Sequence, residues 1–506
     1  MTRFIGDHGA WVVKGLIGFA ALFAIFVFLT RKTELARLAN QVAAAPISLP
    51  FFGLHVASMA LFGSLSAALY GGPAVRFPSD LTAAAWIASA LLAVCFIALS
   101  AAPPRIWADL VRSTHNLIAS AIAASALACC AGAMSWNLWA PTSRLTFNLV
   151  KLILGAFLTD LVIQPENMRV GTHKFTVVIS QQCSGLEGAA LILIFGLFWL
   201  VLCRKELRFP QAIALVPAGV GILFLLNAMR IAALVLIGNA GFRDIAARGF
   251  HSQAGWIAFN CVAFAFALAS RHLPWFTVEQ TVAPEQSSPS RDSSRDFPAA
   301  PWLVPFLAIL AAGMISRASS GLFEWPYFLR ILAALAALWL FRGKYSRIDW
   351  RFTWSGPAAG ILAFSLWIAL DRLAGSRGAN PGMPAALAAA PPAMRIFWIA
   401  ARVLGAVVTV PLAEELAFRG FLLRRFVSTD FGTVPWRKFT VFALLGSSLI
   451  FGLLHGERWL AGTLAGLCYA GVSLRTGRLG EAVVAHATTN SLVAVSVLAF
   501  GNWYLW

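Results

Sequence analysis

Apolar runs of bilayer-spanning length recur from one end of the chain to the other, and no other feature restricts its fold so strongly. Val12–Thr30, Phe51–Tyr70, Leu81–Leu99, Gly185–Leu202 and Ile213–Met229 each approach the ~20 residues a helix needs to cross the hydrocarbon core. In lipid every backbone polar group must be paired internally, and barrel strands need alternating polarity. Continuous runs are therefore read as helices. Length and polarity give about 14 candidates. The expected fold is an all-α polytopic membrane protein of about 14 transmembrane helices in two helical modules.

Of the 506 residues, 59% are hydrophobic and only 12% are charged, so a soluble chain of this length could not hide its apolar surface. The formal charge is +18. Arg31, Lys32 and Arg37 share one short loop, Arg105 and Arg112 another, and Arg204, Lys205 and Arg208 a third. That distribution fixes membrane topology by the positive-inside rule and points to a lipid bilayer, with no nucleic acid partner. The first run is long enough to remain a membrane helix rather than a cleaved signal. Leu145–Val162 carries Lys151 and Asp160 and reads as an interfacial or tilted helix. The loop after it, Gln164–Gln182, then lies outside the cytoplasm. Lys174–Ser180 within it is rich in β-branched and aromatic residues, which predicts a short extracytoplasmic β element before Cys183.

The polar stretch Glu279–Asp296 has little to bury and reads as a disordered linker. The expected division is residues 1–275, a linker over 276–299, and residues 300–506, without a convincing internal repeat.

Seven cysteines, an odd number without framework spacing, argue against a disulfide scaffold. Six of them, Cys95, Cys129, Cys130, Cys203, Cys261 and Cys468, lie in or at the ends of apolar runs as small hydrophobes. Cys183 differs, because it stands in the polar stretch Ser180–Gly185 and opens an apolar helix. Amides at a helix N-terminus favour the thiolate, the nucleophilic form. Arg230 lies inside an apolar run, where a charge is costly unless it has a partner or lines a polar cavity. Asn227, three residues earlier, shares its face. His251 precedes the next apolar run. A thiol, a guanidinium and an imidazole at one membrane face suffice for acyl transfer: the cysteine attacks a peptide carbonyl, the histidine moves protons and the arginine holds the developing oxyanion.

The blocks Gln181-Gln-Cys183-Ser-Gly-Leu-Glu187, Asn227-Ala-Met-Arg230-Ile231 and His251-Ser-Gln-Ala-Gly255 resemble the signature blocks of exosortases, multi-pass bacterial enzymes, over most of residues 50–270. The resemblance implies that Cys183, Arg230 and His251 act outside the cytoplasmic face. The implied substrates are exported proteins with a C-terminal sorting tail made of a short motif, a membrane helix and a basic end.

A second set of polar residues follows. Glu414 and Glu415 are adjacent, and Glu415 and Arg419 are spaced to pair along one helix face, leaving Glu414 as a candidate general base. His455 ends one apolar run, while His486 and Asn490 lie within another at i, i+4. Such groups inside apolar helices need polar partners, so the three helices are expected to converge. The pattern Glu-Glu-x-x-x-Arg, Phe-x-x-x-His, His-x-x-x-Asn resembles the CAAX-protease and bacteriocin-processing family of intramembrane proteases over residues 395–495. By that resemblance Glu414 and His455 activate a water, His486 and Asn490 stabilise the oxyanion, and Glu415 and Arg419 hold the architecture. No cofactor is expected. Zn²⁺ would need Glu414, His455 and His486 as ligands, and no HExxH-like pair is present, so a metal-free site is preferred.

The whole chain resembles one fused architecture, the exosortase E/protease class, in a bacterial cytoplasmic (inner) membrane. The competing expectation is a transporter or flippase with buried polar residues along a substrate path; such proteins often carry internal repeats.

Overall fold

A computed structural model describes residues 18–20, 23, 41–42, 45–70, 80–180, 183–278, 298–346, 348–373 and 382–506. The expected linker Glu279–Asp296 and most of the first apolar run lie outside the described residues. The chain falls into two compact units, Met1–Ala140 and Pro141–Trp506.

In the first unit, α1 (Leu49–Tyr70) pairs with α2 (Asp80–Ala101). Polar groups are sparse and bond across the pair: His55 Nδ1 donates to the Ala93 carbonyl at 2.8 Å and Trp86 Nε1 to Ser66 Oγ at 2.9 Å. With no hydrophobic drive between helices in lipid, such bonds and close packing hold them together. Leu54, Val56, Met59, Leu91 and Val94 remain exposed, an apolar surface suited to lipid. The next helix, α3 (Pro104–Gly155), has 52 residues, and those from Pro141 onward belong to the second unit. Leu145–Val162 is thus divided between the end of α3, a turn and the first residue of a strand.

The second unit opens on a three-stranded antiparallel sheet, β1 (Val162–Gln164), β2 (Arg169–Gly171) and β3 (Thr176–Val178), with Val170 paired to both Ile163 and Val177. β3 falls inside the predicted Lys174–Ser180 segment. Val170 and Ile179 pack with Phe147, Val150 and Leu154 of α3 and with Ala228, Ile231 and Val235 of α5 (Leu215–Asn239). This small core anchors the turn that carries Cys183. Between them runs α4 (Leu186–Leu202), and α6 (Ile245–His272) follows α5, its first six residues wound as a π-turn.

Seven more helices form the C-terminal bundle: α7 (Ala300–Ala318), α8 (Phe328–Leu340), α9 (Ser355–Leu373), α10 (Pro392–Val427), α11 (Val441–Leu453), α12 (Trp459–Thr476) and α13 (Leu479–Phe500). Their shared core pairs bulky rings, Phe306, Phe418, Phe451 and Tyr469, with alanines of α8, α9, α10, α12 and α13. Small residues let helix backbones approach closely in a membrane.

Apart from the sheet the chain is an all-α multi-pass membrane protein. Among the described residues eight helices are long and apolar enough to span and three more are shorter and apolar, so the expected count of about 14 is not reached. One reason is visible in α10, a single element of 36 residues.

Candidate active sites

Gly185 adopts φ +88°, a left-handed conformation, and α4 begins at Leu186. Cys183 therefore stands three residues ahead of the helix rather than in its first turn. Its backbone N–H donates to the Ser180 carbonyl at 2.9 Å, and the Ser180 hydroxyl lies 3.7 Å from its Sγ. Asn227 Nδ2 donates to the Cys183 carbonyl at 2.9 Å, while Asn227 Oδ1 accepts from Arg230 at 3.0 Å. Arg230 also donates to the main-chain carbonyl of His251 at 3.1 Å. The amide of Asn227 thus ties the cysteine turn to the arginine, and the arginine to the start of the histidine helix.

Two cavities meet this network. One, of about 310 Å³, is lined by Gly188, Asn227, Arg230, His251 and Trp256 among others. The other, of about 230 Å³, is lined by Val177, Val178, Cys183, Ile231 and His251 among others. His251 borders both. The structure brings Cys183 and His251 to one cavity and Arg230 and His251 to its neighbour.

The second set is assembled differently. α10 contains two π-turns, Gly405–Thr409 and Leu416–Leu422, with Val410–Glu415 between them. Glu415 is fully buried. Its Oε1 accepts from Arg419 at 2.9 Å and from His486 Nδ1 at 2.9 Å. Arg419 donates its other arm to the Gly466 carbonyl at 2.8 Å and lies over the Phe451 ring at 4.6 Å. Because a carboxylate only accepts, His486 carries its proton on Nδ1, which turns Nε2 toward Glu414 Oε2, 3.9 Å away. That Glu414 oxygen is buried without a hydrogen-bond partner among the described residues.

Asn490 has a local task as well. The π-turn sends the Val410 N–H to the Gly405 carbonyl. The Ala406 carbonyl would take the next donor, at position 411, but Pro411 has none. Asn490 Nδ2 fills the vacancy at 2.7 Å. His455 donates Nδ1–H to the Phe451 carbonyl at 2.9 Å and sits against the rings of Phe451 and Trp367. The imidazole beside Glu414 is therefore that of His486, not of His455. Among the described residues no three His, Cys, Asp or Glu side chains group to hold a metal ion.

Two family models match the chain: a transmembrane exosortase (EpsH) over residues 14–268, and a type II CAAX prenyl endopeptidase, Rce1-like, over residues 396–492. The first covers half of the chain. The chain belongs to the transmembrane exosortase family. The exosortase part contains Cys183, Asn227, Arg230 and His251, and the Rce1-like part contains Glu414, Glu415, Arg419, His455, His486 and Asn490. The predicted fusion of the two is thus present, and both families are peptidases, which sets the transporter reading aside. No curated protein and no solved structure matches.

Sequence reasoning missed Tyr469, whose ring stacks on His486 at 4.7 Å and 17°, and the Gly466 carbonyl that receives Arg419. One signal pointed to them: Gly462, Gly466 and Ala470 form a small-residue stripe at i, i+4, i+8 on α12.

Proposed function

We propose that the exosortase part is a cysteine-dependent peptidase or transpeptidase acting on C-terminal sorting tails of exported proteins, and that the Rce1-like part is a second, glutamate-type endopeptidase. The observation that carries the first reading is His251 at the border of two cavities, one holding Cys183 and the other Arg230. In the reaction the Cys183 sulfur bonds to the scissile carbonyl carbon while His251 takes the thiol proton. Arg230 stabilises the oxyanion, and His251 returns the proton to the departing amine as the C–N bond breaks. A thioester remains, to be resolved by an acceptor amine or by water. The domain limits proposed are residues 1–275 and 300–506, joined by the segment between them. The Cys183 cavity faces the extracytoplasmic side of a bacterial inner membrane.

At the second site Glu414 takes a proton from water, the hydroxide adds to the carbonyl, and the proton passes to the leaving nitrogen. His486, held by Glu415, and Asn490 face the oxyanion, with His455 at the edge of the same site. This route uses no metal.

The test is mass spectrometry of C-terminal peptides from membrane proteins of cells carrying full-length variants. Cys183→Ala is expected to leave sorting tails uncleaved while Glu414→Ala leaves that step intact. Unchanged tail removal by a normally abundant Cys183→Ala protein rejects the cysteine reading. Labelling of Cys183 by a membrane-impermeant maleimide added outside intact spheroplasts tests its side.

A further inference from the structure

The π-turn that delivers His251 does not rest on the exosortase part alone. A methyl group at Gly249 would collide with the main-chain carbonyl oxygens of Arg317 and Ser320, just past the end of α7. On the opposite side, a methyl at Gly321 would lie 2.9 Å from Asp244 Cβ and 3.5 Å from the Ile245 N. Each glycine thus removes the side chain that would hold two backbones apart, and Ile245–Phe250 sits directly on Arg317–Gly321. His251 is two residues beyond Gly249, and its carbonyl is the one Arg230 holds at 3.1 Å. The same α7 packs its other end into the second site's helix: Phe306 and Ile309 share a core with Ala413, Ala417 and Phe418, and the Phe306 and Phe418 rings are 5.7 Å apart.

We propose that Arg317–Gly321, at the C-terminal end of α7, is a positioning surface for His251, so that the cysteine site is completed by the C-terminal half of the chain. A helix wound as a π-turn has wider, weaker hydrogen bonding than an α-helix, and its residues hold their path only when neighbours define it. Here the neighbour is backbone from beyond residue 300, with Arg230 fixing the turn from the exosortase side. The inference rests on the reading that Cys183 and His251 act as a pair.

The experiment is the pH profile of iodoacetamide alkylation of Cys183, followed on its own peptide by mass spectrometry in the full-length protein in detergent. Charged groups near His251 are Arg230 on α5, Glu187 on α4, Asp244 and Arg248 on its own helix, and Arg317 on α7; all are kept in every variant. His251→Ala is expected to abolish the imidazole-dependent part of the profile. Gly249→Ala is expected to do the same, with alkylation at neutral pH about tenfold slower as the thiolate loses its partner. Gly321→Ala should give a small loss and Gly321→Val a larger one, and this graded pair carries the test if Gly249→Ala fails to fold. Normal profiles in folded Gly249→Ala or Gly321→Val protein overturn the proposal. A normal profile in His251→Ala instead overturns the cysteine–histidine reading, and this inference with it.

Discussion

The two candidate sites are built by opposite means. In the Rce1-like part the side chains bond to one another: Glu415 holds Arg419 and His486 at 2.9 Å each, and all three are almost wholly buried. In the exosortase part the side chains bond to main chain: Asn227 to the Cys183 carbonyl and Arg230 to the His251 carbonyl, around cavities open enough to leave His251 exposed. The first arrangement depends on charges that cannot be left unpaired. The second depends on where loops and helix ends lie. Substitutions at the buried site should therefore act mainly on stability, and those at the cysteine site mainly on reaction.

The largest effect should come from Glu415→Ala. It leaves the Arg419 guanidinium buried without its carboxylate and frees His486. Breaking a buried pair in this way costs about 3–5 kcal/mol. Yield and thermal unfolding in detergent should both fall sharply, whereas Cys183→Ala should leave them unchanged. Equal melting temperatures for the two variants would break the comparison.

Next in size is Asn490→Ala, which orphans the Ala406 carbonyl at a cost of about 1–3 kcal/mol. The explanation can be sharpened, because Pro411→Ala restores a backbone N–H that this carbonyl can accept. In a double-mutant cycle Asn490→Ala should be less damaging in the Pro411→Ala background than in the wild type. Additive losses would show that Asn490 does something other than satisfy that carbonyl.

The same contrast explains what could be read in advance. Glu415 and Arg419 pair as their i, i+4 spacing requires, since both partners lie on one helix. The partnership of Glu415 with His486 joins residues 71 apart, and no spacing encodes it. The π-turns of α10 escape periodicity too, because one extra residue per turn leaves an all-apolar run looking continuous. Asn490 was legible as a polar group needing a partner, but not that the partner would be a carbonyl orphaned by Pro411. In the exosortase part, β3 was legible from its β-branched residues. β1 and β2 were not, because each has only three residues. Cys183 was read as opening a helix, whereas the left-handed Gly185 delays the helix to Leu186.

Asn227→Ala should give the converse pattern at the cysteine site. It removes two hydrogen bonds at a partly buried position, worth about 0.5–1.5 kcal/mol each. Its melting temperature should fall modestly, while tail removal should fall much further, since Arg230 and the Cys183 turn lose their common support. A loss of activity no greater than the loss of folded protein would make Asn227 a structural residue only.

The smallest effect lies outside both sites, in the loop before α9. Asp349 accepts from the Arg351 guanidinium at 2.9–3.0 Å and lies 3.3 Å from Arg478. Hydrogen bonds from Arg351 chiefly, with the charges of Arg351 and Arg478 adding to them, hold its carboxyl at about 2, below the ordinary 3.8. A carboxyl depressed on folding contributes stability above its unfolded value and loses it as the pH falls through its folded one. The contribution should be complete above about pH 4 and vanish toward pH 2. Since the group is solvent-accessible, salt should weaken it. The difference in melting temperature between wild type and Asp349→Asn should therefore be small at neutral pH, shrink as the pH is lowered from 4 to 2, and shrink again at 1 M NaCl, where screening acts over ~3 Å. A difference that grows on acidification would reverse the sign and reject the ion pair as a fastener between this loop and the start of α13.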